Sequence, residues 1–212
     1  QVTRIVKNIN KEVNNKLKMK ERQYPVSKFT QQAIIDTFLK MLACKSLDKI
    51  TVKEIVNECG INRNTFYYYY KDIYDLLEDV VSTESKKVIE EDGNSKTFYD
   101  ECVRAFDVMM KYKNALLHIY NSRSRSVIEK YLMAVTPNFI RRFVTLNSEN
   151  IEINEKNIIF ICDFYKYAVT GCTIEWIRSG MPEEREEFVK KIADIFEATV
   201  SDAVKAFEIK KN

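Results

Sequence analysis

Residues 51–71 carry the start and stop signals of two short helices in close succession. Thr51 and Glu54 fit a capping box, in which each side chain satisfies a free backbone N–H of the other at a helix start. Gly60 stands where this helix needs a residue that tolerates positive φ, and Asn62 can cap a second helix. Two short helices joined by a tight turn with Gly predict a helix-turn-helix. The apolar stripe of the first helix recurs at helical spacing, at Val52, Ile55, Val56 and Cys59.

The predicted second helix has two different faces. At the angular spacing of an α-helix, Phe66 and Tyr70 share the face that packs inward. Asn64, Tyr67 and Tyr68 fall on the opposite face, where their amide and phenol groups suit base edges and phosphates in the major groove of DNA. A β-strand is the weaker interpretation, because no second alternating segment lies nearby to pair with it. A packed aromatic cluster in a helical domain stays open as the structural alternative.

The order of these elements resembles the DNA-binding domain of the TetR/AcrR family of bacterial transcriptional regulators. The resemblance rests on the helix 51–59, the turn at Gly60, and the residues Thr65, Phe66, Tyr67, Tyr70 and Lys71. The sequence departs from the family pattern at three positions, with Asn64 where Gly is frequent, Tyr69 where His is common and Tyr70 where Phe is usual. Tyr70 keeps the packing role of Phe but adds a hydroxyl that needs a partner.

The resemblance implies which residues contact DNA. It makes Arg63, Asn64, Thr65 and Tyr68 candidates for base edges. Its candidates for phosphates are Tyr67, Tyr69, Lys71 and the amide end of the first helix at Thr51 and Val52. It also implies a homodimer on a palindromic double-stranded operator, controlled by an effector in the C-terminal domain. Repression relieved by a ligand is the usual logic of the family; the alternative is an activator or adaptor whose C-terminal domain binds a protein co-regulator.

The chain is expected to be all-α, because only four Gly and three Pro interrupt its 212 residues. We divide it into a basic N-terminal extension (1–28), a three-helix DNA-binding domain (29–76) and a helical ligand-binding and dimerisation domain (77–212). No apolar run is long enough to span a membrane, and no signal peptide is recognisable. The five cysteines are widely spaced, which is typical of reduced thiols in a cytoplasmic protein.

Positive charge is concentrated at the N-terminus. Residues 1–28 hold six Lys and two Arg against two Glu, whereas residues 29–76 hold six basic and six acidic side chains. A basic amphipathic helix over 2–20 could contact phosphates as an arm, or it could be a leader without such a role. The predicted DNA-binding unit itself is therefore electrically neutral.

The sequence argues against an enzyme or a metal site. It contains no G-x-S-x-G motif, no Walker loop and no G-x-G-x-x-G motif, so no catalytic constellation is expected. The single histidine, His118, has no Cys or carboxylate at a spacing typical of zinc ligation. We therefore expect no catalytic residue, no metal and no cofactor.

The last two predicted helices, 155–179 and 182–208, are the strongest candidates for a dimer interface. The first of them is apolar over more than one face, which requires burial against its own domain and against a second surface. Gly171, Trp176, Gly180 and the acidic restart near 183–187 resemble the branch of the family that includes dihydroxyacetone-kinase-type regulators. The predicted dimer contacts are Ile161, Tyr165, Val169, Cys172, Trp176, Phe188, Ile192, Phe196 and Val200.

A stripe of aromatic and Met side chains offers candidates for an effector pocket. The same spacing is expected of an ordinary helical core, and both interpretations stay open. His118 could equally be an effector contact or a hydrogen-bonded core residue. The predicted effector contacts are Phe106, Met110, His118, Tyr120, Tyr131, Phe139, Phe164 and Tyr167.

Overall fold

The structure is a computed structural model that describes residues 28–90 and 95–209. The described part is all-α, as predicted, apart from one isolated β-bridge between Ile153 and Glu208. The predicted helix over 2–20 lies outside the described residues. So do Asp92 and Gly93, where the sequence predicts that the helix starting near Asp72 ends. The helices are α1 (28–44), α2 (Val52–Cys59), α3 (Arg63–Tyr69), α4 (Ile73–Glu90), α5 (Phe98–Lys111), α6 (Lys113–Tyr120), α7 (Ser126–Ser148), α8 (Glu155–Arg178) and α9 (Arg185–Lys205), with a 3-10 turn at Leu47–Lys49.

Helices α1 to α4 share one apolar core. Phe38 of α1, Ile55 of α2 and Phe66 of α3 are fully buried in it, together with Leu76 and Leu77 at the start of α4. These residues come from the apolar stripes that the sequence shows on each helix. Phe66 and the adjoining Tyr70 are the buried residues of this part of the chain, and Thr65 and Tyr69 are half-buried, so the remaining side chains of α3 are available at the surface.

Helices α5 to α9 pack around a second part of the same apolar core, which is rich in aromatic rings. Phe98 of α5 stacks on Phe196 of α9 with ring centroids 3.8 Å apart. Trp176 near the end of α8 stacks on Phe188 of α9 at 4.8 Å. Aromatic contacts of this kind add to the stability that burial of the rings already provides. Helix α4 connects the two parts of the core, because its later residues Val80 and Val88 are also buried.

The sequence predicts Asn114 as the cap of a short helix over 115–121 and Pro182 in the first turn of the last helix, and both of these helix starts are wrong. Helix α6 begins at Lys113 and makes no side-chain cap bond, so Asn114 is not its cap. Helix α9 begins at Arg185, which leaves Pro182 in the preceding loop and not in the first turn. The end of α8 is as predicted: Gly180 adopts φ 88°, and the N–H of the next residue bonds the Trp176 carbonyl at 2.8 Å.

The predicted dimer contacts face mainly into the chain's own core. Phe188 is half-buried against Trp176, and Cys172 is exposed. The sequence interpretation recognised that α8 is apolar on two faces, but it assigned the inward face to the dimer. The predicted contacts that the structure buries inside the chain are Ile161, Tyr165, Val169, Trp176, Ile192, Phe196 and Val200.

Among the residues that the structure describes, none of the helices is both long and apolar enough to cross a membrane.

Candidate nucleic-acid interface

The first helix of the motif starts with the predicted capping box. The N–H of Glu54 donates to Thr51 Oγ1 at 3.3 Å, and the N–H of Thr51 donates to Glu54 Oε2 at 2.9 Å. Lys45 pairs with the same carboxylate at 2.6 Å, and its hydrogen bond, followed by those from Thr51, lowers the pKa of Glu54. Because the Thr51 amide is engaged in the cap, a phosphate at this helix end would find its backbone donor at Val52.

The turn between α2 and α3 has the geometry that the sequence predicts. Gly60 adopts φ 65° in the left-handed region, where residues with a side chain are strained. The N–H of Ile61 reaches back to the Val56 carbonyl at 3.0 Å and closes the end of α2. This compact turn sets the direction in which α3 leaves α2.

Helix α3 presents one polar, aromatic face to the surface. Asn62 caps the helix, since its Oδ1 accepts from the N–H of Thr65 at 2.8 Å. Asn64 is exposed, and Tyr67 and Tyr68 are 54% and 76% exposed. The predicted division of α3 into a packed face and an outward face is therefore confirmed.

The hydroxyl of Tyr70 joins three helices. It donates to Asp79 Oδ2 on α4 at 2.8 Å and accepts from Gln31 Nε2 on α1 at 3.1 Å. Burial is the main cause that raises the pKa of Tyr70 well above its ordinary value, so the hydroxyl keeps its proton. The departure from Phe thus has a structural role, because this network fixes the end of α3 against α1 and α4.

We expect Tyr70→Phe to lower the free energy of unfolding by about 1 kcal/mol, because it removes one hydrogen-bonded hydroxyl and leaves the ring in place. Urea denaturation of the full chain measures the change. Tyr68→Phe is the matched control, since that side chain is exposed, and it should leave stability unchanged. Equal stability of the two variants would show that the network adds nothing.

Lys71 lies between α3 and α4. Its N–H donates to Asp75 Oδ2 at 2.9 Å, and Asp72 Oδ1 accepts from the N–H of Tyr74 at 2.8 Å. These bonds fix the backbone at the start of α4 while the Lys71 side chain is exposed. The predicted phosphate candidate Tyr69 is half-buried, with its ring 5.0 Å from that of Tyr68.

Seven of the predicted DNA contacts lie close together in sequence on α3 and at its C-terminal end. The other two, Thr51 and Val52, lie at the start of α2. Arg63, Asn64, Tyr67, Tyr68 and Lys71 are exposed, and Thr65 is half-buried. Such a surface offers guanidinium, amide, phenol and ammonium donors on a helix, which is the chemistry of major-groove readout.

The predicted effector contacts are not brought together. Phe106 and Phe139 are buried in separate aromatic contacts, with Trp176 and Phe98 respectively. Phe164 and Tyr167 are exposed on α8. Of the other predicted contacts, Tyr131 lines an apolar cavity beside α4, and His118 donates to the Leu42 carbonyl. Met110 lines an outer groove, and Tyr120 is half-buried.

Two family models match the chain. The model of bacterial regulatory proteins of the tetR family matches residues 34–80, which include the whole helix-turn-helix. A model of the C-terminal region of transcriptional regulators of the TetR type matches residues 96–198. The two matches together span most of the chain.

Solved structures share the fold. The dihydroxyacetone kinase operon activator DhaS is 19% identical, with a TM-score of 0.68 over 85% of this chain and 98% of that one. A tetR-family transcriptional regulator from Streptomyces coelicolor is 14% identical, with a TM-score of 0.60 over 87% of this chain and 92% of that one. A comparison with curated protein sequences gives no significant match.

The family matches and the geometry agree on the class of protein. The matched N-terminal region contains the capped α2, the Gly60 turn and the outward-facing α3, and the matched C-terminal region contains α5 to α8 and most of α9. These regions identify a DNA-binding transcription regulator and not an enzyme. The chain belongs to the TetR family of bacterial regulatory proteins.

Proposed function

We propose that the protein is a repressor that binds a palindromic operator as a homodimer in the cytoplasm and is controlled by an effector in its C-terminal domain. The observation that carries the proposal is the outward face of α3. Asn64, Tyr67 and Tyr68 are exposed there, while Phe66 and Tyr70 anchor the helix in the core. A rigidly anchored helix with exposed polar groups supports insertion into the major groove.

An apolar surface on α8 and α9 supports the homodimer. We call it the α8–α9 face and define it by the exposed side chains Phe160, Phe164 and Tyr167 of α8 and Ile195 of α9. The two helices are held together behind this face by a hydrogen bond of 2.9 Å between Tyr165 Oη and Thr199 Oγ1. A cluster of large exposed apolar side chains marks an interaction surface, and a second copy would bury it in a four-helix bundle.

The palindromic operator follows from two-fold symmetry. In a dimer with a two-fold axis, the two copies of α3 are related by that axis, so the DNA presents two inverted half-sites. Repression follows if such a site overlaps a promoter. The name of the similar structure DhaS describes an activator, but at 19% identity that similarity supports the fold alone. Activation with a protein co-regulator is therefore the second candidate, without a specific observation in its favour.

Selection from a pool of random DNA duplexes tests the proposal. The full chain should enrich an inverted repeat whose half-sites are about one helical turn apart or a multiple of it. Enrichment of a single unrepeated site, or of no sequence at all, would reject the proposed operator. Placing the selected site across a promoter and measuring transcription with and without the protein then distinguishes repression from activation.

Asn64→Ala should change the base preference of the protein more than its general affinity for DNA. Asn64 is exposed near the start of α3, and a side-chain amide that bonds a base edge is worth about 1–3 kcal/mol of discrimination. Repeating the selection with the variant should relax one position in each half-site. The control is Asn57→Ala on α2, which makes the same substitution at another exposed position and should leave the selected sequence unchanged.

A further inference from the structure

An apolar cavity lies where the DNA-binding helices meet the C-terminal helices. Its volume is about 60 Å³, and its walls come from α1, α4, α5, α6 and α7. The DNA-binding side gives Leu39 and Leu42 of α1, and α4 gives Leu77, Val80, Val81 and Glu84. The most deeply buried lining residues are Leu42, Leu77, Met109, Ala115, Ile119 and Ile128.

The size and the lining of the cavity favour an apolar molecule over water. The space of about 60 Å³ exceeds the roughly 15 Å³ that one water needs, but most of the lining offers water no hydrogen bond. It is smaller than the cavity of about 150 Å³ that holds one benzene ring in an engineered protein. A ring-sized molecule therefore fits only if one wall moves outward.

Two polar side chains in the lining determine which polar group the bound molecule can have. Glu84 of α4 and Tyr131 of α7 both line the cavity. Burial, with a smaller contribution from the Glu84 carboxylate, raises the pKa of Tyr131 to about 12, so its hydroxyl stays protonated. Glu84 Oε1 accepts from Lys87 Nζ at 2.8 Å, but Lys87 itself does not line the cavity. Since the lining contains no Lys, Arg or His, an anionic molecule would meet the Glu84 carboxylate before any cation. A neutral molecule with a hydroxyl has an acceptor in Glu84 and a donor in Tyr131.

The wall formed by α1 is attached to α6 by one hydrogen bond. His118 Nδ1 lies 2.7 Å from the carbonyl oxygen of Leu42, and a carbonyl only accepts, so the ring nitrogen donates. Leu42 stands in the last turn of α1, where carbonyls lack partners within the helix. His118 sits on α6 between the cavity residues Ala115 and Ile119. A molecule that separates α1 from α6 therefore strains or breaks this bond.

We propose that this cavity between α1 and α6 is the effector site and that it takes a neutral, ring-sized apolar molecule with one hydroxyl. Binding of this molecule moves α1 away from α6. Because α1 packs against α2 and α3, the movement of α1 changes the direction of α3, the DNA-reading helix. The inference rests on the proposed control by an effector. In this site the ligand contacts α1, a helix of the DNA-binding domain, and not only the C-terminal domain.

Phenol is the probe, because it combines one ring with one hydroxyl, and benzoate is the anionic probe of similar size. Calorimetry on the full chain without DNA should show phenol binding, with benzoate weaker by about tenfold or more. Ala115→Leu fills the cavity and should weaken phenol binding by about tenfold or more. Ala134→Leu makes the same substitution at an exposed position on α7 outside the cavity and should leave binding unchanged.

A second variant tests the polar part without changing the packing. Glu84→Gln removes the charge and should reduce the preference for phenol over benzoate. Phenol binding that is equal in wild type, Ala115→Leu and Ala134→Leu overturns the inference, as does an unchanged preference in a folded Glu84→Gln variant. If Ala115→Leu does not fold, the preference of Glu84→Gln for phenol over benzoate decides whether the inference holds.

Operator affinity distinguishes failure of this inference from failure of the proposed function. With the selected duplex in hand, saturating phenol should weaken operator binding by about tenfold, within the usual range of coupling between two sites. If no duplex is selected at all, the proposed function fails while the calorimetry still reports on the cavity. If the operator is bound and phenol binds in the cavity without changing operator affinity, the cavity is not the effector site.

Discussion

The variant Phe164→Glu is expected to be a folded monomer that binds the operator about 100-fold more weakly than wild type, because it keeps only one half-site contact at a time. Phe164 is 61% exposed on the α8–α9 face, so the core does not depend on it. In a two-fold dimer the substitution would place two carboxylates in the same apolar interface. Each buried charge without a partner costs several kcal/mol. Analytical ultracentrifugation measures the oligomeric state, and circular dichroism measures the fold.

Leu146→Glu is the matched control for the dimer prediction. Leu146 of α7 is 49% exposed and lies outside the α8–α9 face, and it receives the same charge. It should remain a dimer with wild-type operator affinity. A Phe164→Glu variant that sediments as an intact dimer would show that the two copies meet through another surface. Phe196 is unsuitable for this test, because it is buried on Phe98 and a charge there would unfold the chain.

The DNA-reading motif could be predicted in detail because its signals are local. The Thr51–Glu54 box, the Gly60 turn and the Asn62 cap each depend on residues within five positions of one another. The outward face of α3 also follows from helical spacing alone. What the sequence could not show was the partner of the Tyr70 hydroxyl, since Gln31 and Asp79 come from other helices.

Most of the predicted dimer contacts are core residues, and there is a physical reason why the sequence did not show this. Helix α8 has apolar residues on both sides, and helical spacing does not indicate which side meets its own domain. That choice depends on how α5 and α7 pack against it. The structure places Tyr165 and Val169 inside and Phe164 and Tyr167 outside. That α8 buries a second apolar face against another surface stays a prediction, and the assignment of residues to each face required the fold.

The cavity was beyond the reach of sequence patterns. Its lining comes from five helices, and most of it consists of ordinary aliphatic residues such as Leu77, Val80 and Ile128. An imperfect fit between helices leaves a void, and periodicity contains no information on that fit. Of the eight predicted effector contacts, Tyr131 lines this cavity. His118 is a hydrogen-bonded structural residue, one of the two roles that its sequence context left open.

Tyr67→Ala and Lys71→Ala together are expected to weaken binding to every duplex, whether or not it contains the operator. Tyr67 is 54% exposed on α3, and Lys71 is exposed at the start of α4. The motif region, residues 29–76, has as many acidic as basic side chains, so its affinity depends on a few well-placed donors and not on net charge. In a dimer the two substitutions remove each donor from both subunits. We expect a loss of about 100-fold or more in affinity for DNA, since contacts to phosphates dominate binding.

The two single variants should differ in their salt dependence. Lys71→Ala removes two cations per dimer, so the slope of log affinity against log salt concentration should become less steep by about 2. Tyr67→Ala removes a neutral donor and should lower affinity with the slope unchanged. Fluorescence anisotropy over a series of salt concentrations measures both quantities.

The control for the double variant combines Tyr99→Ala and Lys111→Ala on α5, which remove the same types of side chain outside the DNA-reading face. Because Tyr99 is half-buried against the core, circular dichroism must first show that this control is folded. This control should keep wild-type affinity, because a phosphate is neutralised only by a cation placed against it and not by the total charge of the protein. Equal losses in the control and in the Tyr67 and Lys71 variant would mean that total charge determines binding. If a folded variant with Tyr67→Ala and Lys71→Ala binds DNA as tightly as wild type, α3 and its C-terminal end are not part of the DNA interface.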